Sequence, residues 1–400
     1  MSASFIDVLL AGVLGGWLLV SALSCFGVYR AQRDRDSFLP KCGEAAVVII
    51  PVHGVPAYLA QMWRGISAQS YRPFRVIFAV ESASDPAFAA LRTLEGGPPR
   101  EIIVAGTTAK RAPKIHNVLA ALRSLRADDK LIVLADDDIV PCPDWLARLI
   151  KWQRKESKCE VVSGYRWMVP ADDRWATAFV CVINSSAATA MRAWPFGVAW
   201  GGSMLIHRNA IAGLELERIW DRAMLDDLSL TRSVWAHGGR VHCPRDALVL
   251  TPTSYGWKDA IAFARRQYLW VRIHTPWHWA FIVSVTTLPL VGWAVALALA
   301  LNGSVAAIVI IIAANALDHL RAFFRRQVPK KLWNLHVPGR IARLDSWGTP
   351  IWLLVNAAVV WSTLFGRRID WAGRSYLLDS RGRVLRMETA RASHLVETTP

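Results

Sequence analysis

Apolar segments long enough to cross a lipid bilayer stand on both sides of a central region that lacks them. Residues 5–28 are almost entirely apolar, and residues 278–301 form a second such segment. At about 1.5 Å of rise per residue, either segment spans a hydrocarbon core of about 30 Å as a helix. Three arginines within residues 30–35 follow the first segment, which predicts that its C-terminal end faces the cytoplasm. The chain is therefore expected to be an integral membrane protein.

Two further apolar segments follow the second span, at residues 304–317 and 347–365. Between them, the basic amphipathic stretch 321–333 predicts a helix on the membrane surface. Three full spans after the central region would place the C-terminal residues on the opposite side of the membrane, yet these residues begin with the basic run 366–368. Either one segment is re-entrant or the charge rule fails locally, and the sequence leaves both alternatives open.

The composition separates two explanations for the net charge of +16. Residues 256–400 carry 18 Lys and Arg against 7 Asp and Glu, together with ten of the 20 tryptophans. Basic and Trp residues concentrated beside apolar segments indicate a membrane surface with anionic lipids rather than a nucleic-acid partner. The six cysteines are scattered without a CxxC pair, which argues against a zinc site or a disulfide framework and fits a reducing compartment.

The central region, residues 46–255, alternates short apolar runs with helical patterns. The runs at 46–52, 74–80, 101–106 and 130–136 are rich in β-branched residues. Strands that alternate with helices predict a doubly wound α/β domain with a mostly parallel sheet. Residues 174–194 fit either a core helix of this domain or an interfacial helix.

Two acidic clusters could carry chemistry. Asp136, Asp137 and Asp138 follow a predicted buried strand, where open α/β sheets bind their ligands; they could hold a divalent cation or form a solvated turn. Asp226 and Asp227 precede a helical pattern. One of them could be a general base, or both could simply stabilise the N-terminus of the helix through its dipole.

Basic, aromatic and glycine residues lie between and after these clusters. Lys114 could meet a phosphate or stand in solvent at a helix start. The Arg- and Trp-containing run 264–272 could form a lid over a diphosphate or anchor an interfacial helix. Gly201 and Gly202 could let the backbone approach a ligand closely, or they could simply form an ordinary turn.

Taken in order, these pieces resemble the membrane-bound family 2 and family 21 glycosyltransferases, especially the ceramide glucosyltransferase group and its bacterial hopanoid-type relatives. The matching runs are VVIIPVHG, SASDPA, PKIHN, DDDIV, WGGSM, LDD and RQYLW, all within residues 46–275. The sequence departs from the family pattern at Ser82, where an Asp is expected, and at Leu269, where a second Arg is expected. The resemblance implies a Rossmann-like GT-A fold.

The resemblance also implies a role for individual residues. Asp227 would be the catalytic base, and Asp136 with Asp138 would hold Mg²⁺ or Mn²⁺. The residues implied to bind the donor nucleotide sugar are Pro51, His53, Glu81, Asp85, Lys114, Asp136 and Arg266. The residues implied to bind the acceptor are Trp200, Gly201, Gly202, Asp226, Gln267 and Trp270.

The implied activity is inverting hexosyl transfer from UDP-glucose or a similar donor to the hydroxyl of a ceramide-like lipid. The implied place is the bacterial inner membrane, with the catalytic domain in the cytoplasm. A polyprenyl phosphate acceptor, a processive polysaccharide synthase and a non-catalytic membrane scaffold remain alternatives. The expected organisation has five parts: an N-terminal helix and basic linker (1–45), the GT-A domain (46–255), an interfacial helix (256–277), membrane helices (278–366) and a basic C-terminal tail (367–400).

Overall fold

The computed structural model describes residues 5–31, 38–155, 159–190, 197–371 and 373–389. The helices are α1 Phe5–Ala31, α2 Leu59–Ser67, α3 Pro86–Arg92, α4 Pro113–Arg123, α5 Trp145–Lys155, α6 Trp175–Ala190, α7 Arg208–Leu214, α8 Leu216–Ile219, α9 Asp227–Ala236, α10 Trp257–His274, α11 Pro276–Leu301, α12 Val305–Trp333, α13 Gly339–Asp345 and α14 Thr349–Ser362. The strands are β1 Cys42–Val52, β2 Arg72–Val80, β3 Arg100–Val104, β4 Leu131–Ala135, β5 Cys159–Ser163, β6 Tyr165–Pro170, β7 Ser203–His207, β8 Arg240–His242, β9 Leu248–Thr253, β10 Arg368–Trp371, β11 Arg374–Leu378 and β12 Val384–Thr389.

A seven-stranded sheet organises the central region, in the order β3-β2-β1-β4-β7-β5-β8. The four strands β1 to β4 pair in parallel, and β7 is antiparallel to both of its neighbours. This mixed, mostly parallel sheet confirms the predicted α/β class, and the four predicted strands correspond to β1 to β4. The antiparallel strand β7 begins directly after Gly201 and Gly202.

The apolar runs of these strands serve two hydrophobic cores. On β1, Val48 and Ile50 face one core while Val47 and Ile49 face the other. Successive side chains of a strand point to opposite faces, so a sheet covered on both faces needs apolar residues at nearly every position. This is why the strands have no polar alternation.

Among the described residues, three helices are long and apolar enough to cross a membrane: α1, α11 and α12. Trp17 of α1 packs against α11, where its ring lies 5.0 Å from that of Trp293. A Cβ at Gly292 would come within 2.7 Å of Trp17, so the glycine permits this close helix approach. α14 has 14 residues, too few at about 1.5 Å each to cross a bilayer of about 30 Å.

The structure corrects two expectations about this region. The stretch 321–333 is not a separate surface helix but the continuation of α12, and within the described residues only two candidate spans, α11 and α12, follow the central region. Two of the five basic residues in this stretch are buried: Arg321 lies 2.6 Å from Asp318 of the same helix, and Arg325 lies 2.6 Å from Asp345 of α13. Buried ion pairs of this kind are accommodated only when both charges are matched. Two crossings after the α/β domain would return the chain to the side of that domain.

The helix α6 lies within the protein core. It packs on β6 and α13, and most of its residues are buried. This favours the core interpretation of residues 174–194, of which 191–194 lie outside the described residues.

The segment expected to be a basic tail contains an antiparallel three-stranded sheet, β10-β11-β12. Its apolar face packs on α10 and on Met224, through Ile369, Tyr376, Leu378 and Val384. The Val384 N–H also donates to the Arg222 carbonyl at 2.7 Å. Residues 390–400 of the expected tail, like residues 32–37 of the expected linker, lie outside the described part of the chain.

Candidate active site

The first acidic cluster stands at the centre of the sheet. Asp136 follows the last residue of β4, and its N–H donates to the Gly202 carbonyl at 3.2 Å. Burial and the neighbouring carboxylates raise the pKa of Asp137 to about 7 and that of Asp138 to about 6. Like charges held this close disfavour one another's ionisation, so the cluster favours a positively charged partner.

Lys114 is one such partner. It is the second residue of α4, and its Nζ lies 2.6 Å from Asp136 Oδ1 and 3.3 Å from Asp226 Oδ2. Burial alone would lower the pKa of its ammonium, but Asp136, Asp226 and Asp227 together raise it above the ordinary lysine value. Lys114 therefore stays charged and joins the two acidic clusters into one site.

The second cluster lies at the start of α9. Asp227 is the first residue of that helix; its Oδ2 accepts from the Gly201 N–H at 3.2 Å and its Oδ1 accepts from the Leu228 N–H at 2.6 Å. Burial and the adjacent Asp226 raise the pKa of Asp227 to about 7, against the opposing effect of Lys114. A carboxylate with that pKa can take up a proton near neutral pH.

The carboxylates of both clusters leave no room for a side chain at Gly201 or Gly202. A Cβ at Gly201 would lie 2.4 Å from Asp226 Oδ2, and one at Gly202 would lie 2.5 Å from Asp136 Oδ2 and 2.2 Å from the Trp200 ring. Only a residue without a side chain lets the loop pass between both clusters.

Gly202→Ala should lower both the activity of the site and the thermal stability of the protein. We expect a cost of about 1–3 kcal/mol in the free energy of unfolding, because the added methyl overpacks the site, and a fall in kcat/KM of about 100-fold from displaced carboxylates. Gly213→Ala is the matched control, because no atom lies within 4 Å of the added methyl. Thermal unfolding and initial rates measure both effects, and equal behaviour of the two variants would contradict the packing described here.

Four of the residues expected to bind the donor, Pro51, His53, Glu81 and Asp85, lie at or just after the ends of β1 and β2. Pro51 is buried in β1, and His53 Nδ1 lies 3.2 Å from Asp85 Oδ2. Asp85 caps α3 through the Ala87 N–H at 2.8 Å and accepts from the Gly54 N–H at 3.0 Å. Asp85 therefore fixes the two loops to each other.

Glu81 has a partner from outside the α/β domain. Its carboxylate lies 3.0 Å from the guanidinium of Arg374 on β11. The acidic clusters, by contrast, are bridged from within the domain.

The helix α10 brings in the remaining sequence-predicted residues. The Arg266 guanidinium carbon lies 5.7 Å from the ring centres of both Phe263 and Trp270. Gln267 is partly buried beside Arg266, and it has no hydrogen bond to either acidic cluster within the described residues. Leu269, which replaces an expected Arg, is buried in the apolar contact with the C-terminal sheet, where a charged side chain would be desolvated.

Sequence reasoning missed Arg166 on β6. Its guanidinium carbon lies 5.0 Å from the Phe263 ring and 5.7 Å from the Trp200 ring. It lies close enough to Asp138 to lower that carboxyl's pKa, and close enough to Arg266 to lower the pKa of that guanidinium. The Nε atoms of both arginines are buried without a hydrogen-bond partner among the described residues. A single Arg within an apolar strand carries no motif, so only the three-dimensional structure identifies this pair of cations.

The carboxylates fit a divalent cation in part. Asp138 Oδ1 is buried without a hydrogen-bond partner among the described residues, and carboxylate oxygens suit Mg²⁺ and Mn²⁺. The described residues contain no group of three or more His, Cys, Asp or Glu side chains arranged around one metal position. A cation held by Asp136 and Asp138 would therefore need further ligands from a bound substrate or water.

Several solved glycosyltransferase structures are similar to this chain. The mannosyltransferase PcManGT from Pyrobaculum calidifontis, in complex with GDP-Man and Mn²⁺, is 17% identical with a TM-score of 0.46, over 86% of this chain and 97% of that one. S. aureus TarS 1-349 is 12% identical with a TM-score of 0.37, over 85% and 98%. Glucosyl-3-phosphoglycerate synthase from Mycobacterium tuberculosis, in complex with Mn²⁺, UDP and phosphoglyceric acid, is 12% identical with a TM-score of 0.38, over 57% and 78%.

No curated protein sequence matches the chain. The family model for glycosyl transferase family 21, however, matches residues 13–384. That range includes most of the candidate membrane helix α1, both acidic clusters, Lys114, α10 and most of the C-terminal sheet. The chain belongs to glycosyl transferase family 21, and it is a glycosyltransferase of the GT-A kind.

Proposed function

We propose that the protein transfers a hexose from a UDP-sugar to the hydroxyl group of a ceramide-like membrane lipid, with inversion at the anomeric carbon. The observation that carries the proposal is the position of Lys114 between Asp136 and Asp226. Because Lys114 bridges the two acidic clusters, the candidate metal ligands of the first lie in the same site as the candidate base of the second. A donor and an acceptor could therefore meet there.

Asp227 is the proposed general base. The acceptor hydroxyl attacks the anomeric carbon opposite the leaving group, the new C–O bond forms as the bond to the diphosphate breaks, and the hydroxyl proton passes to the Asp227 carboxylate. The Gly201 N–H donates to this carboxylate and holds it in place. A single displacement of this kind inverts the anomeric configuration.

Three cations are proposed to bind the leaving diphosphate: Lys114, Arg166 and Arg266. The two arginines have no carboxylate within ion-pair distance among the described residues, so their guanidinium groups are available to a phosphate. Asp136 and Asp138 would hold Mg²⁺ or Mn²⁺, which when bound would neutralise charge on the diphosphate.

A membrane acceptor is supported by the position of α10. This helix carries Arg266 and Trp270 and is separated from the candidate span α11 by a single residue, Thr275. Trp257 and Trp277, at the starts of the two helices, are exposed, as is usual for aromatic residues at a membrane interface. A lipid headgroup would therefore enter the site from the membrane surface.

A cytoplasmic site at the bacterial inner membrane is supported by charge. The C-terminal end of α1 contacts the α/β domain through Arg245, which donates to the Arg30 carbonyl. The C-terminal end of α12, which is basic, lies on the same side of the membrane. Basic residues flanking spans favour the cytoplasmic face.

A polyprenyl phosphate is the second candidate acceptor. The observation that favours it is the presence of two guanidinium groups, Arg166 and Arg266, around one Phe263 ring, since one could serve the donor diphosphate and the other an acceptor phosphate. Both acceptor classes therefore belong in the test.

The rate should depend on pH through Asp227. Because its pKa is raised to about 7, the carboxyl is protonated and inactive as a base at lower pH. We expect kcat/KM to fall about tenfold per pH unit below pH 7 and to level off above it. Asp137 has a similar pKa, so the Asp137→Asn variant is the control and should show the same fall in rate below pH 7. If the fall disappears in that variant, it is due to Asp137 and not to Asp227.

The test of the function uses the purified full-length protein in lipid nanodiscs. UDP-, GDP- and CDP-sugars are offered with Mg²⁺ or Mn²⁺ and with either ceramide or a polyprenyl phosphate, and products are read by mass spectrometry. The proposal expects one hexose added to ceramide from a UDP-sugar. Sugar on the polyprenyl phosphate alone would select the second acceptor, a polymer would indicate a synthase, and no product from any donor would contradict the proposal.

A further inference from the structure

The C-terminal sheet places charged and polar groups at the end of β2. Glu81, the first residue after β2, lies 3.0 and 3.2 Å by its two carboxylate oxygens from Arg374 Nη2. The Glu81 side chain is 11% exposed and that of Arg374 is 25% exposed. An ion pair this shielded from solvent, at the end of a parallel strand, lies where open α/β sheets bind their ligands.

Two buried hydrogen-bonding groups at this position have no partner other than each other. The Arg374 guanidinium lies close enough to the Tyr376 hydroxyl to oppose the rise in its pKa that burial causes, and neither Arg374 Nη1 nor that hydroxyl is hydrogen-bonded to a further group within the described residues. Buried polar groups are almost always fully paired, so the donor capacity left at Arg374 Nη1 suggests a ligand. The Tyr376 hydroxyl lies close enough to Arg374 and Glu81 to interact with both electrostatically.

The sheet is held firmly against the catalytic residues. The Trp371 ring meets the Trp270 ring of α10 edge to face, with centres 6.3 Å apart. Arg383 forms a β-bridge with Ala223, three residues before Asp226. Arg374 is therefore fixed relative to the same loops that carry the base.

Resting on the proposed UDP-sugar donor, we propose that the C-terminal sheet forms one wall of the nucleobase site, in which Glu81 and Arg374 together recognise uracil. Uracil presents a ring N–H beside a carbonyl oxygen. The Glu81 carboxylate accepts from the N–H, and Arg374 Nη1 donates to the carbonyl. Cytosine has a ring nitrogen acceptor and an amino donor at the corresponding positions, so it would meet Glu81 and Arg374 with the wrong polarity.

The test is the ratio of the dissociation constants of UDP and CDP, measured by calorimetry on the full-length protein. These nucleotides share ribose and diphosphate, so a variant that only loosens the fold weakens both equally and leaves the ratio unchanged. We expect the wild type to favour UDP strongly. Arg374→Gln should weaken UDP binding about tenfold or more, as expected for a lost buried hydrogen bond to a charged group, with little change for CDP.

Two further variants sharpen the result. Arg374→Lys keeps a charge for Glu81 but lacks the second N–H of the guanidinium fork, so it should also lose discrimination. Arg386→Lys is the matched control on β12, because Arg386 is 74% exposed and pairs with Glu388; it should leave the ratio unchanged. An unchanged ratio in Arg374→Gln, or a ratio fully restored by Lys, would overturn the inference. If that happens while the wild type still transfers sugar from a UDP-donor, the proposed function stands and only this inference fails.

Discussion

Asp227→Asn should reduce sugar transfer by about 10²–10⁴-fold, the usual contribution of a general base. The amide keeps the size of the carboxyl, and its one oxygen can accept from the N–H of either Gly201 or Leu228, so the site retains its volume and loses one hydrogen bond. It cannot take a proton from the acceptor hydroxyl. UDP binding, measured by calorimetry, should therefore stay near the wild-type value while the initial rate falls.

Asp221→Asn is the control for that variant. Asp221 is an exposed acid six residues earlier, paired with Arg111 at 3.1 Å, and surface ion pairs contribute little. Its transfer rate should stay within about twofold of the wild type, since a surface substitution of this kind is nearly neutral. Transfer by Asp227→Asn at the wild-type rate would remove Asp227 from the mechanism.

Lys114→Met should have the second large effect. The substitution leaves Asp136, Asp226 and Asp227 close together without the buried cation that balances them. We expect kcat/KM to fall by about 100-fold or more, because a fixed charge facing the developing charge of the reaction is lost. Initial rates at saturating and limiting donor separate the contributions to kcat and KM.

The same variant should be less stable, and increasingly so as pH rises. Lys114 opposes the rise in the pKa of Asp137, Asp138 and Asp227, so without it their folded-state pKa values would rise further above the unfolded values. The folded state would then hold protons that the unfolded state releases, so stability is lost as pH rises between the two values. Unfolding temperatures at pH 6 and pH 8 measure this, with Lys110→Met, an exposed lysine in the preceding loop, as the control. A variant with wild-type stability at both pH values would show that the bridge is not structural.

The sheet was predictable because its strands are almost wholly apolar, which is typical of parallel strands buried on both faces. β7 was harder to predict, since its short run follows Gly201 and Gly202 and its antiparallel direction depends on pairing with β4 and β5. The length of α12 was missed for a different reason. Arg321 and Arg325 indicate a surface in sequence, but Asp318 and Asp345 pair with them in the interior.

The first acidic cluster could also be predicted, because carboxylates directly after a buried strand have few structural explanations, whereas the second stands before a helix and was proposed from the LDD motif. Their connection through Lys114 required the structure, since a lysine at a helix start is usually solvated. Arg166 and Arg374 gave no signal at all. Each is a single Arg in a strand, and each acquires a role only when residues far apart in the chain pack together, as Arg374 does with Glu81.

The anomeric configuration of the product tests the central claim most directly. Nuclear magnetic resonance of the glycolipid made from an α-linked UDP-hexose reports whether the new glycosidic bond is α or β. A single displacement assisted by Asp227 predicts a β-linked product. An α-linked product would contradict it, because retention requires either a second displacement or a front-face reaction that does not use Asp227 in this way.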